Sequence, residues 1–314
     1  MKNVMVVGGA GFIGSNLCET LLDSCDKVVA IDNFLRGKEE NIAPLLANPK
    51  FVFMQHDVND VLGTISLLRE HQITHVMHLA ANSDIQASAE VPTIEFVNTA
   101  STTWSVLAAM KKAGVKNLFF ASTSAVYGSS TTGEPFKEDD QMNPISYYGG
   151  AKMASEAFIH SYAYMDDLNV LIFRFPNVIG PHLTHGVFFD FYKRLTADPH
   201  HLQVLGDGHQ SKPYMHSSDL IRGICSLFWD NRGLNVYNIG VEGTTSVRSI
   251  VEMFAQELHL KDLKVTYGES KCGWKGDVPK FQYSLSKIHS TGWKASMDSD
   301  EACRLTIRDL LKQN

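Results

Sequence analysis

Cysteine is scarce and unpatterned. The 314 residues hold five, at positions 18, 25, 225, 272 and 303, an odd number with no CxxC spacing. This excludes a disulfide scaffold and a thiolate zinc site and is read as free thiols in a reducing compartment. Positive charge is also short. Lys and Arg number 28 against 34 Asp and Glu, for a net charge of -6, the wrong sign for a nucleic-acid face. Long apolar runs are missing too. No stretch of 18 apolar residues could span a membrane, and the run after Met1-Lys2-Asn3 stops at Gly8, too short for a signal segment. The expectation is a cytoplasmic protein with neither a membrane nor a nucleic-acid partner. Thirteen histidines include His182/His185 and His200/His201. No acidic or cysteine partners cluster with them, so no metal is expected. No internal repeat or low-complexity tract appears.

What is present is an ordinary globular composition, 44% hydrophobic and 20% charged. Short apolar runs at 4–7, 28–31, 51–54, 76–80, 118–121 and 170–173 read as buried strands. Segments 12–22, 65–70, 93–112 and 148–164 carry helical spacing between them. Strand and helix in alternation imply an α/β fold with a doubly wound parallel sheet. After Pro176 the alternation stops and prolines and glycines punctuate shorter elements. The division expected is a dinucleotide-binding domain over 1–175, with 214–243 returning to it. A smaller α/β substrate domain would comprise 176–213 and 244–314.

Gly8-Gly9-Ala10-Gly11-Phe12-Ile13-Gly14 sits between the first strand and first helix, where GxGxxG binds a dinucleotide. Gly8 permits the turn, Gly11 the approach of a pyrophosphate, and Gly14 close packing of helix on strand. The helix N-terminus offers N–H groups to phosphate. Asp32 ends the second strand, placed to accept from adenosine ribose hydroxyls and to repel a 2′-phosphate, so NAD is expected over NADP. Asp57 follows the third strand, either as an acceptor for the adenine amino group, with Val58 beside it, or as a turn aspartate.

Tyr148 and Lys152 stand at i and i+4, on one helix face. A tyrosine of pKa about 10 needs roughly 4 kcal/mol of preference for the phenolate to act near pH 7. One positive charge at about 4 Å in an effective dielectric near 20 supplies about that. Tyr148 could then take a proton from a sugar hydroxyl as hydride leaves the same carbon. Ser122-Thr123-Ser124 ends the fifth strand, where ligands bind in open α/β sheets, or it satisfies its own turn.

Together with Asp32-Asn33-Phe34, His78-Leu79-Ala80-Ala81, Asn98, Ser122 to Gly128, Arg174 to Pro181, Gly206-Asp207-Gly208 and Gly276-Asp277-Val278, these motifs resemble the extended short-chain dehydrogenase/reductase family. Within it they are similar to the nucleotide-sugar 4-epimerases. The resemblance implies Thr123 as the catalytic hydroxyl, Tyr148 as base and Lys152 as its activator. It implies a cofactor site of Gly8, Gly11, Phe12, Ile13, Gly14, Asp32, Asn33, Asp57, Val58, Leu79, Ala80, Ala81, Tyr148, Lys152 and Pro176. Asn98 belongs to the same implied cofactor site and would kink the fourth helix. Ser83, Ser124, Asn177, Tyr214 and Asp277 would face a nucleotide sugar, with Lys212 and Lys275 where the family often has arginine. The resemblance favours a UDP-sugar, but lysine keeps the charge and loses bidentate phosphate binding, which leaves a GDP- or CDP-sugar open. The helices near 93–112 and 148–164 would form a homodimer. Dehydratase relatives follow the threonine with Asp-Glu; here Ser124-Ala125 follow. The chemistry implied is NAD-dependent 4-epimerisation through a 4-keto sugar. A dehydratase, dehydrogenase or reductase of the same family, or a non-catalytic dinucleotide sensor, remains as an alternative.

Overall fold

A computed structural model describes residues 1–82, 85–129, 133–269 and 282–312. The apolar runs form β1 (Asn3–Val7), β2 (Lys27–Asp32), β3 (Phe51–Gln55), β4 (His75–His78), β5 (Asn117–Thr123) and β6 (Asn169–Phe175). With Leu234–Asn238 they make one seven-stranded sheet, ordered 234–238, β6, β5, β4, β1, β2, β3. The pairs β1–β2, β2–β3, β1–β4 and β4–β5 are parallel. Continuous Val and Ile runs suit strands covered on both faces. The chain winds outward from β1 to β3, then returns to set β4 against the other edge of β1. That reversal opens a crevice at the carboxyl ends of β1 and β4, where Gly8 and Leu79 follow their strands.

Helices Phe12–Leu21, Val61–Glu70, Thr102–Ala113 and Tyr147–Asp166 cover the sheet. Leu107, Met110 and Ile159 share a core with Val29, Phe120 and Ile172. Asp60 caps Val61–Glu70 through the Gly63 N–H, and Ser146 caps Tyr147–Asp166 through Gly149.

The helix expected over 93–112 is broken. A short α-turn, Thr93–Glu95, leads into a π-helical turn, Phe96–Ser101, before the α-helix starts at Thr102. The Thr99 carbonyl explains the break: it accepts from the hydroxyls of both Thr102 and Thr103, each at 2.9 Å. Hydroxyls that capture helix carbonyls loosen the regular ladder.

The chain divides into two compact units. The first comprises Met1–Gly128, Gln141–Arg174 and Gly223–Tyr237; the second comprises Ser129–Asp140, Phe175–Arg222 and Asn238–Asn314. Besides Phe175, the boundaries differ from those expected in three places: 129–140, 214–222 and 238–243 all fall in the second unit. Residues 214–222 belong to the second unit because Tyr214–His216 pairs with Asn177–Ile179. Segment 129–140 joins it as Phe136 bonds to Gln282 and Ser284. Inside the second unit, helices Val187–Ala197 and Val247–Glu257 pack through Phe188, Phe191 and Phe254. Asp219 accepts from the Ser296 and Met297 N–H groups there. Among the described residues, no helix is long and apolar enough to cross a membrane.

Candidate active site

Gly8 leaves β1 with φ +86°, a conformation other residues rarely adopt. A Cβ on Gly8 would lie 2.8 Å from the Ala80 nitrogen, and one on Gly14 would lie 2.0 Å from the Gly8 carbonyl oxygen. The turn is thus pressed between the helix and the segment after β4. Leu79 and Ala80 donate their N–H groups to the Val7 carbonyl, and Ala81 follows them. Gly11 caps helix Phe12–Leu21 without a side chain. No carbonyl among the described residues takes the N–H of Phe12 or Ile13. An open first turn beside a closely packed glycine loop fits a pyrophosphate.

Asp32 is almost buried. Its carboxylate accepts from Ala10 N at 3.0 Å and Phe34 N at 2.9 Å, which ties the ribose-side loop to the glycine turn. Burial still pushes this carboxyl above its ordinary value. Asn33 donates to Asp57, which also accepts from Asn59 N. Asp57 takes part in its own turn and is exposed to solvent. The Val58 side chain belongs to the core.

The reactive residues meet between β5 and the start of helix Tyr147–Asp166. A Cβ on Gly149 would fall 2.4 Å from the Ala125 carbonyl, so this glycine lets the helix close onto the turn after Thr123. The Thr123 side chain stands close enough to the Tyr148 hydroxyl to lower its phenol. Thr123 also accepts from Ala125 N at 3.2 Å. Ser124 opens a short 3-10 turn and stays half-exposed. Lys152 is 2% exposed. Its Nζ donates to the Ala121 carbonyl at 2.7 Å and lies 5.9 Å from the Tyr148 ring centre.

The electrostatics of Tyr148 differ from the expectation. Burial, then the charge of Glu95, raise its phenol above the ordinary value, and the neighbouring Thr123 side chain lowers it only in part. Burial lowers the Lys152 ammonium to about 8, against the pull of Glu95 and Glu156. Burial thus favours the neutral form of both groups.

Four residues complete the site that the motifs did not identify. Glu156, fully buried, accepts from Ser122 Oγ at 2.5 Å and from Arg174, whose Nη2 lies 2.7 Å away. Arg174 also donates to the Tyr127 hydroxyl at 2.8 Å. Ser122 thus spends its hydroxyl on Glu156, and Thr123 is the hydroxyl that acts on Tyr148. The spacing Tyr148, Lys152, Glu156 extends one helix stripe by a further turn, a signal available in the sequence. Glu95, 2% exposed, accepts from Asn82 Nδ2 at 2.7 Å and Thr99 Oγ1 at 2.8 Å. Thr99 Oγ1 in turn accepts from Asn82 N at 3.1 Å. Asn98 lies in the π-turn as a partly exposed residue, and the polar side chain directed inward is that of Thr99.

In the second unit, Asn177 and Tyr214 are cross-strand partners, and Lys212 pairs with Thr245 on an antiparallel bridge. The Tyr214 ring is buried against Phe188 at 5.3 Å. Pro176 is buried beside Gly240. Ser83, Lys275 and Asp277 lie outside the described residues.

A sheet that reverses between β1 and β4, with an open glycine turn there and a Thr-Tyr-Lys cluster after β5, defines a nicotinamide-dinucleotide enzyme of Rossmann type. The chain belongs to the NAD dependent epimerase/dehydratase family, whose model matches residues 4–240. The mouse dTDP-D-glucose 4,6-dehydratase is 28% identical over 98% of this chain and 88% of its own length. The Thermotoga maritima UDP-glucose 4-epimerase, solved with UDP-glucose, superposes with a TM-score of 0.90 at 27% identity, over 99% of both chains. The Bacillus cereus UDP-glucuronic acid 4-epimerase, solved with UDP-glucuronic acid and NAD, gives 0.89 at 26% identity over 100% of both. NAD is the cofactor of this chain.

Proposed function

We propose that the protein is an NAD-dependent nucleotide-sugar 4-epimerase. One observation carries this reading: Thr123, Tyr148 and Lys152 stand together after β5, with the Lys152 Nζ 5.9 Å from the Tyr148 ring centre, and the turn that follows Thr123 carries no acid. Elimination requires a further acid and base next to the sugar. The two buried carboxylates nearby are already held, Glu156 by Arg174 and Ser122 and Glu95 by Asn82 and Thr99. A hydride removed and returned needs neither.

Gly8, Gly11, Phe12, Ile13 and Gly14 would hold the pyrophosphate of NAD, Asp32 and Asn33 the adenosine ribose, and Tyr148 and Lys152 the nicotinamide end. NAD, when bound, supplies the hydride acceptor and, oxidised, a positive charge. Tyr148 takes the proton of the sugar 4-hydroxyl as the C4–H bond breaks, and Thr123 shares a hydrogen bond with the reacting oxygen. The 4-keto sugar then turns over in the site. Tyr148 returns the proton as the new C4–H bond forms on the opposite face. The charges of Lys152 and of oxidised NAD would together have to favour the phenolate against the burial that raises it. A UDP-sugar agrees with the molecules bound by the Thermotoga and Bacillus neighbours, and Lys212 offers a cation for its diphosphate. A cytoplasmic homodimer completes the proposal.

The test is a panel of UDP-, GDP- and CDP-sugars given to purified protein without added NAD. Clean interconversion of two C4 epimers is expected. Stoichiometric NADH, or a 4-keto-6-deoxy product, would replace this reading with a dehydrogenase or a dehydratase.

A further inference from the structure

The site contains a buried acid that the proposed reaction does not use. Glu95 stands at the end of the short turn Thr93–Glu95, and its carboxylate is closed into a ring with Asn82 and Thr99. Both its donors are neutral. An ionised carboxylate buried with neutral donors alone is costly and calls for a cation nearby.

The charges around it leave one candidate. Glu156 has its own cation in Arg174 at 2.7 Å. Lys152 donates only to a neutral carbonyl, that of Ala121, and the Glu95 charge reaches it. His78, facing Lys152 from β4, is no competitor. Thr103 gives its hydroxyl proton to the Thr99 carbonyl, so its oxygen accepts from His78 Nε2. Burial and the Lys152 charge keep that ring neutral, at about 3. Tyr148 is a neutral phenol. Among the described residues one carboxylate and one ammonium remain, and the π-turn carrying the Glu95 ring packs on the helix bearing Lys152, where Ser155 Oγ donates to the Thr99 carbonyl at 3.4 Å.

We infer that Glu95 is the counter-charge of Lys152, a positioning residue that keeps the lysine cationic beside Tyr148 and ties the segment after β4 to the catalytic helix. This rests on the Tyr148–Lys152 assignment made above and is independent of which sugar is turned over. It also accounts for the interrupted helix. A turn at 96–101 that bulges inward brings Thr99 and Glu95 to the same polar ring, and π-bulges recur at functional sites for such reasons.

The experiment reads Lys152 directly. Protein labelled at lysine ¹³Cε, with NAD added to saturation, is titrated by NMR, and the Lys152 resonance is assigned with Lys152→Met. Glu95→Gln should lower its midpoint by about one pH unit. Thr99→Val, which keeps the charge and removes one hydrogen bond, should leave the midpoint in place. An unmoved midpoint in Glu95→Gln overturns the inference, as does an equal shift in Thr99→Val. Thermal unfolding gives a second reading if Glu95→Gln is too unstable to titrate. Glu95→Gln and Lys152→Met should each lower Tm, and the double variant should recover part of the loss; additive losses overturn the inference. Failure of every sugar in the panel, with the midpoint shifted as expected, would remove the 4-epimerase reading and leave the counter-charge standing.

Discussion

Two tyrosines stand side by side at the start of helix Tyr147–Asp166, and they have different surroundings. Tyr147 is 56% exposed, whereas the Tyr148 phenol is raised by burial and by Glu95 and lowered in part by Thr123. The pair supplies its own control. Tyr148→Phe should lower kcat by about 10²- to 10⁴-fold, the usual worth of a positioned acid-base group. Tyr147→Phe should change it less than about twofold, as a solvated ring away from the reacting atoms. Equal rates for wild type and Tyr148→Phe in steady-state turnover would remove Tyr148 as the base. His78 carries a prediction about pH. Its folded-state value is about 3 against 6.5 for a free imidazole, so the unfolded chain binds a proton that the folded one refuses as pH falls below 6.5. Stability is therefore lost between 6.5 and 3, about 2 kcal/mol of it by pH 5. His78→Gln should flatten that part of the Tm-against-pH curve, measured by calorimetry, although its Tm at pH 8 falls through loss of the bond to Thr103. A parallel curve would mean that other groups govern acid unfolding.

Among the elements, the glycine turn has least room for change. The Gly14 Cβ position lies 2.0 Å from a backbone oxygen, which no rotamer relieves. Gly14→Ala should cost about 1–3 kcal/mol by overpacking and should lower the NAD retained after gel filtration, read from the 260 nm absorbance of the released nucleotide. Full NAD retention would show that the turn adapts and does not grip the pyrophosphate. This element was legible because its residue types answer to geometry alone: positive φ at Gly8 and contact at Gly14 admit little else. Tyr148 and Lys152 were legible because an unbroken helix keeps i and i+4 on one stripe, and Glu156 would have followed from the same period. Glu95 was not. It lies just before a π-turn that resets the helical phase, so spacing assigned through 93–112 loses its meaning there, and hydroxyls at Thr102 and Thr103 looked like ordinary helix positions. The boundary between the units also depended on a non-local pair, Tyr214–His216 against Asn177–Ile179, which no local pattern announces. The sign of the Tyr148 shift was missed for a related reason, since burial and a distant carboxylate are properties of the fold.

At the scale of the whole molecule, one surface is unusual for a chain of net charge -6. Trp104 is 50% exposed, and its ring meets Phe158 at 5.3 Å and Tyr162 at 5.5 Å, so three aromatics from two helices form one patch. Phe96 and Val97 are exposed on the preceding turn of the same segment. Lys111 and Asp166 pair at 2.8 Å close by, with the lysine over the Tyr162 ring, giving the patch a charged border. Contiguous aromatic surface with a polar rim is the pattern of a protein contact, and it falls on the two helices expected to form a homodimer. A central tryptophan is the residue type that most often dominates such contacts. Trp104→Glu places a charge at the centre of the patch without touching the cluster at Tyr148. It should weaken dimerisation by about 100-fold or more, seen in sedimentation equilibrium as a monomer at concentrations where the wild type is dimeric. NAD content should remain, because the cofactor turn lies on other elements of the sheet. A monomeric wild type would assign the patch to another partner, and a dimer unchanged by Trp104→Glu would place the interface elsewhere.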